Sequence, residues 1–304
     1  MLEKEESWTK VIGEIERLCS EDVGRNIGRM AASSRGGMEK AARSLALSSP
    51  GRVAIATGCY IPSGEPPSAE TDGPIGTVVL ARVLQAIGHQ VMVLTDPHCV
   101  RVVRAAFSAI DDWLDPVPIG ILTSTTPSPV FVDGDAPDLS LTHLVSIERL
   151  GPSDDGHIRS IAGDLRDDVS GSVHLFYEQT TGFKIAIGDG GNELGMGNLE
   201  AEIISDSVAH GDKIRCVTRC DALIVAGISN WGAYGLASSI SVLRREVDVR
   251  RVLAPELHHH LLACIVENGA AVDGLTGQMT MTVDGVSEVR LVQKLVEVAK
   301  LLEN

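Results

Sequence analysis

The sequence predicts an α/β fold, with a mostly parallel sheet, helices on both faces and a ligand site at the carboxyl ends of the strands. Two observations predict it. Runs such as GRVAIATG, HQVMVLTDP and FKIAIGDGG are apolar along their length rather than at alternate positions, which marks strands buried on both faces. Between these runs lie longer segments with apolar residues at helical spacing. The chain has 304 residues, 44% hydrophobic and 22% charged, and reads as a single α/β domain over residues 1–304.

Residues 1–48 carry helical spacing in two stretches, broken near Gly36 and Gly37. Residues 51–58 form the first strand, closed by a glycine. A Pro- and Gly-rich loop leads to the helix TVVLARVLQAIG, which ends at Gly88. HQVMVLTDP is the second strand and RVVRAAFSAI the helix after it. Residues 112–140 are rich in Pro, Asp and Thr and read as an irregular insertion. LTHLVSIERL, FKIAIGDGG and DALIVAGISN are three further strands. AYGLASSISVLRRE and VRLVQKLVEVAKLLE are helices, and MTVDGV has the Asp-Gly pair of a hairpin turn.

Composition narrows the function. There are 26 basic and 41 acidic residues, a net charge of −15, whose field repels nucleic acid and favours a cation or a small zwitterion. Aromatics at 3% are too few for base-stacking platforms. The N-terminus MLEKEESWTK has no apolar core of a signal peptide, and no apolar run is long enough to cross a membrane. Six cysteines dispersed through a chain of this length fit reduced thiols, so a cytoplasmic protein is expected. Cys216 and Cys220 with the His258–His260 triplet match no usual zinc spacing, and the triplet reads as an exposed turn. A homo-oligomer is left open.

Ligands of open parallel sheets lie beyond the strand ends. Polar groups stand there repeatedly: Glu70 and Asp72, Asp96, Glu148 and Arg149, Asp189, Asn192 and Glu193, then Ser229 and Asn230. In IGDGGNELGMGN the third glycine of a dinucleotide fingerprint is replaced by Glu193, which excludes a pyrophosphate there and with it a nucleotide cofactor. Glycines at 190 and 191 let the chain turn sharply and approach a ligand. Glu70, Asp72, Asp189, Asn192 and Glu193 are hard oxygen donors of the type that holds Mg²⁺ or Mn²⁺. The same residues could instead cap helices, Asp72 at the helix entered through Pro74 and Asp189 at one starting in the glycines.

The segments ETDGPIG, SIERLGPSDDG, IGDGGNELGMGN, HGDKIRC and VAGISNWGAYGL occur in this order in the sequence. With them the chain resembles the D-glutamate cyclase family over nearly its whole length. The resemblance implies conversion of D-glutamate to 5-oxo-D-proline and water. The chemistry of that reaction suits Glu148, Asp189 and Glu193 to proton transfer and polarisation. Arg149, Ser229, Asn230, Gly190 and Gly191 are the residues expected to hold the amino acid. Two alternatives fit the acidic loops: a Mg²⁺- or Mn²⁺-dependent hydrolase such as a phosphatase, and a non-catalytic metal- or ligand-binding protein.

Overall fold

The structure, a computed structural model, describes residues 2–110, 115–123, 126–132, 137–245 and 247–303. Its centre is a sheet of seven strands: β1 (Arg52–Thr57), β4 (Gln90–Thr95), β5 (Ile119–Thr123), β6 (Thr126–Phe131), β7 (His143–Ile147), β8 (Phe183–Gly188) and β9 (Ala222–Val225). Their order across the sheet is β6-β5-β4-β1-β7-β8-β9, and every neighbouring pair is parallel except β5 and β6. Two short hairpins complete the strands: β2 (Tyr60–Ile61) with β3 (Ser68–Ala69), and β10 (Thr282–Val283) with β11 (Val286–Ser287).

Alternation along each strand sorts side chains onto two faces. Val53, Ile55, Val93, Val145, Ile147, Ile185, Ile187 and Ile224 belong to the larger core. That core is covered by α1 (Leu2–Cys19), α3 (Gly37–Leu47), α4 (Pro74–Ala86), α5 (Val100–Ser108), α9 (Ser229–Leu243), α10 (Pro255–Glu267) and α11 (Glu288–Leu301). Ala54, Ala56, Met92, Leu94, Leu144, Ala186, Leu223 and Val225 face the other way. They pack against α2 (Gly28–Ser33), α6 (Val173–Gln179), α7 (Ala201–Ser207) and α8 (Gly211–Ile214). With apolar residues on both faces, these strands show no alternation in sequence.

Three local readings are corrected. The N-terminal segment is broken at residues 20–27 as well as at Gly36, so it forms three helices, not two. The stretch 112–140 supplies β5 and β6 to the sheet edge, while 112–114, 124–125 and 133–136 lie outside the described residues, as do Met1, Glu246 and Asn304. The histidine triplet lies in α10, where Pro255 occupies the first turn, and His258 is buried against the Tyr234 hydroxyl at 3.0 Å. No helix among the described residues is long and apolar enough to cross a membrane.

The chain runs outward from β1 to β4 and β5, then returns to place β7 on the other side of β1. A crevice must open beyond the carboxyl ends of β1 and β7, because their following segments depart in opposite directions.

Candidate metal and substrate site

The crevice is filled with buried carboxylates. Glu70, Asp72, Glu148, Asp189, Glu193 and Asp284 are all at most 7% exposed. Each is delivered by a different local device. Glu70 follows the hairpin β2–β3 and is held by pairing of its backbone with Val272. Glu148 follows β7 directly with φ +48°, a left-handed backbone that a non-glycine residue adopts at a cost of roughly 1–3 kcal/mol. Asp189 follows β8. Asp284 is the first central residue of the β10–β11 turn, with φ +53° followed by Gly285 at +75°, the paired positive values of a type I′ hairpin. Asp273 braces that turn by accepting the Gly285 N–H at 2.7 Å and the Thr282 hydroxyl at 2.6 Å.

Asp72 and Asn230 cap each other's helices. Asp72 accepts the N–H groups of Ser229 and Asn230, the first two residues of α9, both at 2.8 Å. In return Asn230 Oδ1 accepts from Gly73 at 3.1 Å and Gly76 at 2.7 Å in the first turn of α4, and its amide donates to Thr71 O. Each helix start would otherwise leave donors without partners. Gly76 permits the close approach, since a Cβ there would stand 2.7 Å from that of Ala233. The expected cap on α4 therefore exists, but Asn230 makes it; Asp72 caps the neighbouring helix.

The glycine-rich loop after β8 closes on Glu193. Its carboxylate accepts the N–H groups of Asp189 at 2.8 Å, Gly190 at 2.6 Å and Gly191 at 2.8 Å. Gly191 has φ +91°, and a Cβ on Gly188 would meet the Glu193 carboxyl carbon at 2.8 Å. The glycines thus wrap the backbone around an internal anion and aim Asp189 into the crevice.

Two groups of three carboxylates have one oxygen each within 4.8 Å of the others: Asp72, Asp189 and Asp284, and Glu148, Asp189 and Glu193. Asp189 belongs to both. Glu70 borders the first group, since a Cβ on Gly274 would contact both its Oε2 and, at 2.9 Å, Asp284 Oδ1. Asp189 Oδ2, Asp284 Oδ2 and Glu70 Oε1 are buried and have no hydrogen-bond partner. Leaving such atoms unmet is costly, and hard oxygens converging on one point are what a divalent cation recognises. The donor set fits such an ion.

Burial, reinforced by neighbouring negative charge, raises the proton affinity of Asp72, Glu70, Glu148 and Asp189. Burial and then the Asp284 charge push Asp72 up to about 7, against the pull of its N–H donors. Burial, followed by Asp284 and Asp72, holds Glu70 well above the carboxylate range. Burial, followed by Glu193 and Glu70, does the same for Glu148, whose Oε2 accepts the Ser229 hydroxyl at 2.6 Å. Asp189 is raised by burial, with Arg25 acting in the opposite direction.

Several expected contacts are corrected. Arg149, read as a clamp for a substrate carboxylate, is 1% exposed. Its guanidinium donates to both Asp96 oxygens, to Gly58 O at 2.8 Å and to Gly171 O at 3.2 Å. It joins the ends of β1, β4 and β7 and has no terminal N–H left for a ligand. The side-chain oxygen and one amide N–H of Asn230 and the N–H groups of Gly190 and Gly191 are likewise taken internally, as given above. Asn192 donates to Arg159 O at 2.9 Å, pinning the loop that follows β7. Cys216 is buried and Cys220 half-buried, and desolvation pushes both thiols up to about 12.

Two site residues escaped the sequence reading. The Asp-Gly pair of MTVDGV marks Asp284 only as turn chemistry. Arg25, in the break between α1 and α2, donates to Asp189 and lies 2.6 Å from Asp284 Oδ1. A lone arginine in a polar helix connection gives no local sign of such a role.

Residues 15–298 match the family model described as D-glutamate cyclase-like, C-terminal. The chain is similar to the mitochondrial D-glutamate cyclase of Homo sapiens, 30% identical over 331 aligned positions that cover 96% of this chain and 52% of that protein. It therefore spans about half the length of this relative.

Proposed function

The chain belongs to the D-glutamate cyclase-like family, and from that premise we propose that it converts D-glutamate to 5-oxo-D-proline and water with the help of Mg²⁺ or Mn²⁺. The carrying observation is the set of three buried, unpartnered carboxylate oxygens on Asp189, Asp284 and Glu70 at the switch point of the sheet. In this reading Asp72, Asp189 and Asp284 hold the cation, and Glu193 supports Asp189 from behind. A bound divalent cation supplies Lewis-acid polarisation of the substrate γ-carboxylate.

The reaction forms the bond from the amine nitrogen to Cδ and breaks one Cδ–O bond. One ammonium proton stays on the lactam nitrogen and two leave with the oxygen as water. Glu148 accepts the first of these, because burial and neighbouring carboxylates make it a stronger base than an ordinary carboxylate. The Ser229 hydroxyl fixes the orientation of Glu148. Glu70, with an unpartnered Oε1 and a similarly raised proton affinity, delivers one proton to the departing oxygen; the second ammonium proton completes the water, and the proton held by Glu148 restores Glu70. Burial of the site excludes water, which would otherwise compete with the amine.

The test is turnover of D-glutamate to 5-oxoproline after chelation, then with Mg²⁺ or Mn²⁺ restored, alongside L-glutamate and a generic phosphoester. Metal-dependent, D-selective product formation is expected. Cleavage of the phosphoester with neither glutamate consumed would replace this reading with a metal-dependent hydrolase.

A further inference from the structure

Arg25 occupies the position where the proposed cation belongs. Its guanidinium bridges Asp189 and Asp284, two of the three carboxylates of the first group. Each acid offers it one oxygen, and the second oxygen of each is buried without a partner. Among the described residues these two acids are its only side-chain partners. The Arg25 side chain is 21% exposed, against 0% and 3% for the acids, so it lies on the solvent side of the pair.

The backbone beneath it is independently fixed. Asp22 Oδ1 accepts the N–H groups of Gly24, Arg25 and Asn26 at 2.8, 2.8 and 3.1 Å, and Asn26 donates to Ser207 O at 2.9 Å. The turn can hold its shape while the Arg25 side chain changes partners. Arg149 is the opposite case, fully buried and tied to three different segments.

Resting on the metal-dependent reading above, we propose that Arg25 is an exchangeable counter-ion. It neutralises Asp189 and Asp284 in the metal-free protein. It yields them to the divalent cation, and its released guanidinium then grips the α-carboxylate of the amino-acid substrate. The chemistry requires such a group. A zwitterion entering a ring of six carboxylates needs a cation for its own carboxylate, and a guanidinium matches that shape bidentately. Arg149 cannot serve, for the reasons of bonding already described. Ordering follows: the metal binds first, because until it does the substrate's arginine is engaged.

The test combines Mn²⁺ binding, followed by the electron paramagnetic resonance of free Mn²⁺, with mass-spectrometric reading of phenylglyoxal modification at Arg25. In wild type, Arg25 is expected to be protected without metal, modified at least about tenfold faster with saturating Mn²⁺, and protected again when D-glutamate is added with Mn²⁺. Arg25→Gln is expected to bind Mn²⁺ about tenfold more tightly, because a competitor is gone, and D-glutamate at least about tenfold more weakly. Arg25→Lys keeps the charge without the fork and should recover only part of the glutamate affinity. Wild type that binds Mn²⁺ with no change in Arg25 reactivity would overturn the exchange alone. Reactivity that rises with Mn²⁺ but is unaffected by D-glutamate would overturn the substrate role. Wild type that binds no Mn²⁺ would overturn the metal site itself, and the exchange with it.

Discussion

Asp72 receives three backbone N–H groups and still titrates near neutrality, at about 7. Hydrogen bonds to a carboxylate favour its ionised form, so desolvation and the Asp284 charge outweigh three of them. The sign of the linkage follows. The folded value lies above the ordinary 3.8, so the folded protein keeps a proton that the unfolded chain releases. The stabilisation from Asp72 is therefore full below its unfolded value and is lost as pH rises through its folded one. A cation requires the ionised form and must displace that proton. Mn²⁺ affinity is expected to rise between about pH 6 and pH 8, with protons released on binding. Titration calorimetry in two buffers of different ionisation enthalpy reads both. Affinity that is flat across this range, with no proton release, would remove Asp72 from the ligand set.

At the scale of elements, α4 and α9 each begin on a residue supplied by the other, so the site and the helix starts share one network. Asn230→Ala would free the Gly76 N–H inside the protein, leave the Gly73 N–H to Asp72 alone and cut the tie to Thr71 O. The expected cost is about 1–3 kcal/mol, or a melting temperature lower by roughly 2–10 °C, measured calorimetrically. A melting temperature unchanged by the substitution would show that water satisfies the start of α4. This network also explains why sequence spacing does not reveal the capping role of Asn230. Periodicity places the helix from Ala233, whereas it starts at Ser229, so Asn230 looked like a loop residue aimed at a ligand. The strands were legible because double burial leaves a continuous apolar run. The destination of a polar side chain depends on which helix lies opposite, and local spacing does not carry that. Arg149 and Asp96 illustrate the same gap: both follow strands as expected, but they satisfy each other.

Across the whole molecule, the site joins residues from 25 to 284, and the reversal of strand order beside β1 gathers its strand-end carboxylates. The strand-end carboxylates could be anticipated because the fold class alone assigns strand ends to one edge. Asp284 and Arg25 arrive on a hairpin and an interhelical turn that no strand pattern points to. These outlying segments are also packed against each other's neighbours. Lys294 of α11 is 1% exposed, donates to Glu21 at 2.7 Å and lies 5.1 Å from the Trp231 ring centroid. A cation held by Asp72, Asp189 and Asp284 would consequently bind the folded chain at three distant points at once and the unfolded chain at none. At a free concentration about a hundred times Kd, such binding adds about 2.7 kcal/mol, several degrees of melting temperature for a domain of this size. Amide hydrogen exchange should slow together around residues 72, 189 and 284 when Mn²⁺ is added. Asp189→Asn should abolish both the thermal shift and the coordinated slowing, since Asp189 belongs to both carboxylate groups. Slowing confined to the turn at 284 would mean that the ion binds there alone, and the crevice would no longer be one site.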